Sequence, residues 1–269
     1  MKKKIKLIIW PLIYLVLIIN VCISFVLVFR SYYFTSIFVS GSSMMPTLNG
    51  GDVGSGKRAD YGIIDAHKSA IDNIKRFQII TTYYPFSDSH DYVDGYKYGE
   101  KNVIDEREAS YKIKRVYAFP GESVKFVVDQ EMLAATQELL RNRKPYDELV
   151  QDYASRTLQV QIKTKGSDKY VTQKLKFKRR IEVAKIPNYD GKEFELEENE
   201  YWVMGDNYAS STDCYSHSKP IYKDNIVGVL VAIEGTCIID NNNDGSSTVD
   251  GTKASYRCKQ RKRHLPKYY

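Results

Sequence analysis

Residues 7–29 (LIIWPLIYLVLIINVCISFVLVF) form one apolar block, uncharged, with Asn20 and Ser24 as its clear polar breaks. At about 1.5 Å per residue, a helix of this length spans a hydrocarbon core of about 30 Å and predicts a membrane anchor. Pro11 falls near its first turn, where a missing N–H costs least. Beyond the block the apolar runs shorten. Those at 78–84, 110–119, 123–128, 158–163, 170–177, 201–204 and 226–233 are rich in β-branched and aromatic residues. Gly, Pro, Asp and Asn separate them, and together they predict a mainly β domain. Residues 129–156 differ. They are rich in helix formers, carry apolar residues near helical spacing, and are split by Pro145, which predicts one or two helices inserted into the β domain. From Asp240 the chain is polar and turn-rich, which predicts a mobile tail. The expected organisation is an anchor over 1–30, a β domain over 31–235, and a polar basic tail over 236–269.

Charge predicts the orientation of that anchor. Residues 1–30 hold five basic side chains and residues 253–269 seven, with no acid in either stretch. The body between them therefore has a net charge of −5 within a chain of +7. A mildly acidic body between basic ends does not make a nucleic-acid-binding surface. Four lysines precede the apolar block and only Arg30 follows closely, which places the amino end in the cytoplasm and the rest outside. A cleavable leader would have a shorter core and a small-x-small exit, whereas the exit here is Val28-Phe29-Arg30-Ser31. Four cysteines exclude a disulfide-built scaffold. Cys22 lies in the anchor and Cys214 beside a polar turn. Cys237 and Cys258 remain as a pair free to join outside the cytoplasm, two free thiols being the alternative.

Three boxes carry candidate chemistry. The first, Val39-Ser40-Gly41-Ser42-Ser43-Met44-Met45-Pro46-Thr47-Leu48, places small residues before a serine and a proline after it. A serine in such a turn is by itself most often structural. The second, 111–122 (YKIKRVYAFPGE), reads as a strand with Ile113 on one face and Lys114, Val116 and Ala118 on the other. A lysine sharing an apolar face is costly to bury charged, so burial lowers its pKa, as a general base near neutral pH requires. An exposed edge lysine is the plain alternative. The third, 201–213 (YWVMGDNYASSTD), runs a buried-looking strand into a Gly-Asp-Asn turn and a Ser/Thr/Asp cluster.

In this order the boxes resemble those of type I signal peptidases, membrane-bound serine proteases that remove signal peptides. Ser43-Met44-Met45-Pro46-Thr47-Leu48 matches the family's Ser-Met-x-Pro-Thr-Leu. Lys114-Arg115-Val116 with Pro120-Gly121 matches its Lys-Arg-Val box, and Gly205-Asp206-Asn207 with Ser211 and Asp213 its Gly-Asp-Asn box. Gln78-Ile79-Ile80 is a weaker fourth match. The resemblance implies a signal-peptidase-like β fold, Ser43 as nucleophile, Lys114 as general base, and Ser211 positioning the lysine. It implies Asp206, Asp213 and Arg115 as a supporting shell. Ile37, Met44, Leu48 and Ile113 are expected as apolar pocket walls admitting Ala-sized residues. The implied partners are exported preproteins with signal peptides and the lipid bilayer, with no cofactor, metal or nucleic acid.

Some positions depart from the family pattern. Gly41 stands where some relatives place a serine whose hydroxyl completes the oxyanion hole. Cys214-Tyr215 replaces Ser-Arg, so Asp213 lacks its arginine; Ala118 replaces a glycine and Gln78 an aspartate. None of the four histidines falls within a box. Two readings compete: a self-cleaving repressor protease, which would need a DNA-binding domain and no anchor, and a non-enzymatic anchored binding protein. Residues 240–245 (DNNNDG) open like a calcium loop, but Gly251 stands where a bidentate Glu is needed, so a polar turn is expected.

Overall fold

The computed structural model describes residues 2–51, 58–84, 110–240, 247–249 and 252–264. Helix α1 (Lys2–Tyr33) contains the apolar block. Its stretch Trp10–Phe29 is exposed throughout and is long and apolar enough to cross a membrane. It leads directly into β1 (Phe34–Phe38), so the first strand starts where the apolar helix stops.

Two antiparallel sheets follow. The larger runs β1, β2 (Arg58–Asp65), β11 (Ile226–Asp240), β3 (Ile79–Tyr84), β4 (Ser110–Ala118), β9 (Glu200–Met204) and β10 (Ile221–Tyr222), in that order. The smaller runs β7 (Val171–Thr172), β6 (Leu158–Lys163), β5 (Ser123–Val128) and β8 (Glu193–Glu195). Short helix α2 (Lys68–Asp72) precedes β3, and α5 (Cys214–His217) follows β9. Helices α3 (Gln130–Asn142) and α4 (Glu148–Thr157) lie between β5 and β6, separated around Pro145. Asp129 and Asp147 cap them by accepting from Met132 N and Leu149 N. Thr136 and Thr157 share a buried hydroxyl hydrogen bond of 3.0 Å that ties α3 to the end of α4.

Burial divides into two clusters. The main one includes Val116, Tyr117, Phe126, Val160 and Trp202, and joins the two sheets. The second, Val39, Met44, Leu48, Ile64, Ile79, Leu230 and Ile233, fills the space below the first box. Both faces of β4 are covered: Lys114, Arg115, Val116, Tyr117 and Ala118 are all buried.

Three expectations need correction. Strands β1 and β2 were not foreseen, because Arg58-Ala-Asp-Tyr-Gly-Ile-Ile-Asp reads as a polar stretch; its neighbours β1 and β11 make it a strand. The run at 170–177 is a strand only at Val171–Thr172. Beyond Gln173 it keeps the alternation, with Lys174, Lys176 and Lys178 outward and Phe177 and Arg179 buried, but leaves the ladder. Arg180 N instead donates to Asp206 O at 2.8 Å, so this segment bridges the small sheet to the third box. The mobile tail is the third. The boundary expected at 235/236 falls inside β11, and β13 (Thr252–His264) pairs antiparallel with that strand and with β12 (Ser247–Val249). Cys237 and Cys258 are opposite one another in this register and form a disulfide. Low apolarity masked a hairpin whose pairing is made by backbone groups. The calcium-like run lies, beyond Asp240, outside the described residues.

Candidate active site

Ser43 stands half-exposed in a tight turn, with Met45 N donating to Ser42 O and Leu48 N to Met44 O. The Met45–Pro46 peptide within it is cis. Asp60 of β2 holds the neck of this loop. Its carbonyl accepts from Val39 N at 2.9 Å, its N–H donates to Asn49 O at 2.7 Å, and its carboxylate accepts from Asn49 N at 2.9 Å. Inside the neck Gly50 meets Gly41 so closely that a Cβ on Gly50 would lie 1.5 Å from the Gly41 oxygen. No other residue fits there without moving the serine loop.

Strand β4 brings Lys114 to the loop. Its Nζ donates to Ser43 Oγ at 3.1 Å and to the Ile113 carbonyl at 3.1 Å, and the residue is 2% exposed. A buried amine aimed at a partly exposed hydroxyl is a nucleophile–base geometry. The next residue turns to the other face of the strand. Arg115 Nε donates to Asp206 Oδ1 at 2.7 Å, Nη2 to Oδ2 at 2.5 Å, and Nη1 to Phe77 O at 2.7 Å. The Phe177 ring stacks on the guanidinium at 4.0 Å. Thr47 also donates to Asp206, so the end of the serine loop and β4 meet on one carboxylate.

The Gly-Asp-Asn turn closes over Ser43. Asn207 N donates to Ser43 O at 2.8 Å and its Nδ2 to Ser42 O at 2.9 Å. A Cβ on Gly205 would lie 2.4 Å from both Ser43 O and Ser211 Oγ, so only glycine permits this approach. Ser211 Oγ is buried and, among the described residues, reaches no partner at hydrogen-bonding geometry, and so does not bond the lysine amine. It lies close enough to the Asp213 carboxyl to favour its charged form. Asp213, without an arginine, accepts from Gly205 N at 3.0 Å and Tyr215 N at 3.1 Å and caps α5. Its place is structural support for the Gly205 turn.

Burial pushes the Asp213 carboxyl above the ordinary 3.8, opposed by Ser211, the Gly205 N–H and the Lys114 charge. Between 3.8 and that raised value the native state binds more protons than the unfolded chain, so stability falls as pH rises through the window. Relative to Asp213→Asn, the wild type should lose stability between about pH 4 and pH 8. Urea midpoints of both proteins at the two pH values check this; a constant difference would show that Asp213 does not titrate in the window.

Of the expected pocket residues, Ile37 and Ile113 are partly exposed beside the pair. Met44 and Leu48 are 1% and 0% exposed, so they pack beneath the loop and do not line an open surface. Among the described residues no histidine bonds Ser43, and no three His, Cys, Asp or Glu side chains group as metal ligands. Asp60, Gly50 and Phe177 escaped the sequence reading. Thr47 and Asn207 lay within the quoted boxes, whereas Asp60 had no local signal, since its role depends on β2 reaching the neck of the loop.

A mainly β domain that sets a serine hydroxyl against a buried lysine amine is the architecture of a serine–lysine hydrolase. The chain belongs to the family described as signal peptidase, peptidase S26, which it matches over residues 12–233. Members are serine endopeptidases that remove signal peptides, and their mechanism uses a serine and a lysine. No curated protein matches the chain.

Proposed function

We propose that Ser43 is the nucleophile and Lys114 the general base of this peptidase, acting on exported preproteins at the outer face of a membrane. The observation that carries the assignment is the 3.1 Å contact between the Nζ of buried Lys114 and the Oγ of partly exposed Ser43. Neutral Lys114 takes the Ser43 proton as Oγ attacks the scissile carbonyl, then gives it to the departing amine. The acyl-enzyme is hydrolysed by water, which Lys114 deprotonates in turn. The Ser43 N–H stabilises the oxyanion; Gly41 supplies no side-chain donor. Asp206 and Arg115 hold the serine loop against β4, and Asp213 with Ser211 supports the turn that covers it. Ile37 and Ile113 present the apolar surface that receives small residues before the cut.

The flanking charges support a cytoplasmic amino end with the β domain outside. Ser43 follows Arg30 by only 13 positions, at most about 45 Å of extended chain, which keeps the site near the bilayer surface where signal cores end. The body's negative charge disfavours nucleic acid, and the apolar helix Trp10–Phe29 supports a lipid partner. Cleavage of a preprotein at its signal junction by the detergent-solubilised protein, with Ser43→Ala as control, tests the reading.

The base also predicts a pH profile. Because Lys114 acts unprotonated, kcat/KM should rise with pH along a single limb and stay high until the fold fails. The limb should persist unchanged in His217→Ala. If it vanished there, the titrating base would be a histidine.

A further inference from the structure

A cavity of about 1010 Å³ opens behind the serine loop, between α4 and the 172–180 segment, and reaches Pro46 and Thr47. Five of its lining residues are basic (Arg156, Lys176, Lys178, Arg179 and Arg180) and two acidic, Glu148 and Asp152. Asp152 is already taken by Arg156 at 2.5 Å on the same helix. Among the described residues no carboxylate pairs with the other four cations. Arg179 is the most telling. It is 4% exposed, donates to the Ser155 and Leu158 carbonyls, and keeps its Nε buried without a partner among the described residues. A buried guanidinium satisfied by neutral groups alone leaves the cavity wall with uncompensated positive charge. Arg180 continues the wall toward the site: its N–H holds Asp206 O, and Asn207 holds Ser43 O.

We infer that this cavity receives the mature portion of the preprotein, downstream of the cut, and favours acidic residues there. The inference rests on the peptidase reading above and adds a substrate preference to it. Three features assign the occupant. Pro46 follows Ser43 by three residues, at most about 11 Å, so a substrate three or four residues past the scissile bond reaches the cavity mouth. The small residues before the cut have their own surface at Ile37 and Ile113, and β1, which carries Ile37, joins directly to the anchor that holds the apolar signal core's side of the site. The net-positive cavity disfavours that core and complements acidic side chains. The helices between β5 and β6 thereby gain a role, since α4 forms one wall.

The test uses the full chain in uncharged-detergent micelles. Two preproteins are compared that share the signal and the first residues after the cut but carry runs of Glu or of Lys from the fourth residue onward. Wild type should show a KM about fivefold lower for the Glu substrate at similar kcat, the size expected of a few solvent-screened ion pairs. Lys176 and Lys178 are exposed, so Lys176→Glu/Lys178→Glu should fold normally and reverse the order. Equal use of both substrates by wild type, or an unchanged Glu preference in the variant, would overturn the assignment while leaving the peptidase intact. Failure to cut either substrate would overturn the peptidase reading itself. A variant defect that appears only on adding anionic phospholipid vesicles would overturn the assignment in favour of a membrane surface.

Discussion

Lys114→Met will abolish preprotein cleavage, lowering kcat by about three orders of magnitude or more, while the protein unfolds as wild type does. Methionine keeps the stem's packing on β4 and removes only the amine that meets Ser43 Oγ at 3.1 Å. Ser43→Ala removes the other half of the pair and should be equally inactive, because residues that act as one unit lose nearly everything singly. Lys114→Ala should share the loss, with some destabilisation from the space left at a site 2% exposed. Single-turnover assays with urea unfolding of each variant separate chemistry from folding. Substantial cleavage by folded Lys114→Met would sink the base assignment, and by folded Ser43→Ala the nucleophile.

The second large effect is expected one residue along the same strand. Arg115→Met will destabilise the protein by about 3–5 kcal/mol, because it strands a wholly buried Asp206 carboxylate. Arg115 meets Asp206 with two hydrogen bonds, closes on the Phe77 carbonyl and stacks on Phe177. Among the described residues Thr47 alone would remain to the carboxylate. The double variant Arg115→Met/Asp206→Leu should recover part of the loss, since removing both charges removes the uncompensated one. Asp206 also adjoins the Asn207 N–H that holds Ser43 O, so Arg115→Met should lose activity even where it is still folded. Urea midpoints for the four corners of this cycle decide it; equal stability of Arg115→Met and wild type would show that the pair carries no structural role.

Alternation on β4 anticipated this division of labour. Adjacent residues on a strand face opposite ways, so Lys114 and Arg115 had to serve different surroundings. The chain order alone did not say that both surroundings are buried, nor that Phe177 of a distant segment closes over Arg115. The Cys237–Cys258 pairing was reachable by elimination, but the strand register that sets the two opposite was not. The departures were legible too. Tyr215 in place of arginine left Asp213 without a cation, and the structure shows backbone N–H groups taking its place.

By itself the sequence determined the anchor, the mainly β domain with its helical insert, and the three boxes that hold Ser43, Lys114 and the Gly205 turn. These signals are local: hydrophobic length, β-rich runs, and residue types that glycine, proline and charge confine to particular turns. Tertiary structure alone decided that the tail is a paired strand, that Asp60 grips the neck of the serine loop, that Met44 and Leu48 lie beneath that loop, and that a cationic cavity stands behind it. Each of these depends on which strand lies beside which. Pairing is set by backbone groups that every residue carries, and burial by neighbours distant in the chain, so neither leaves a mark in the local order of side chains.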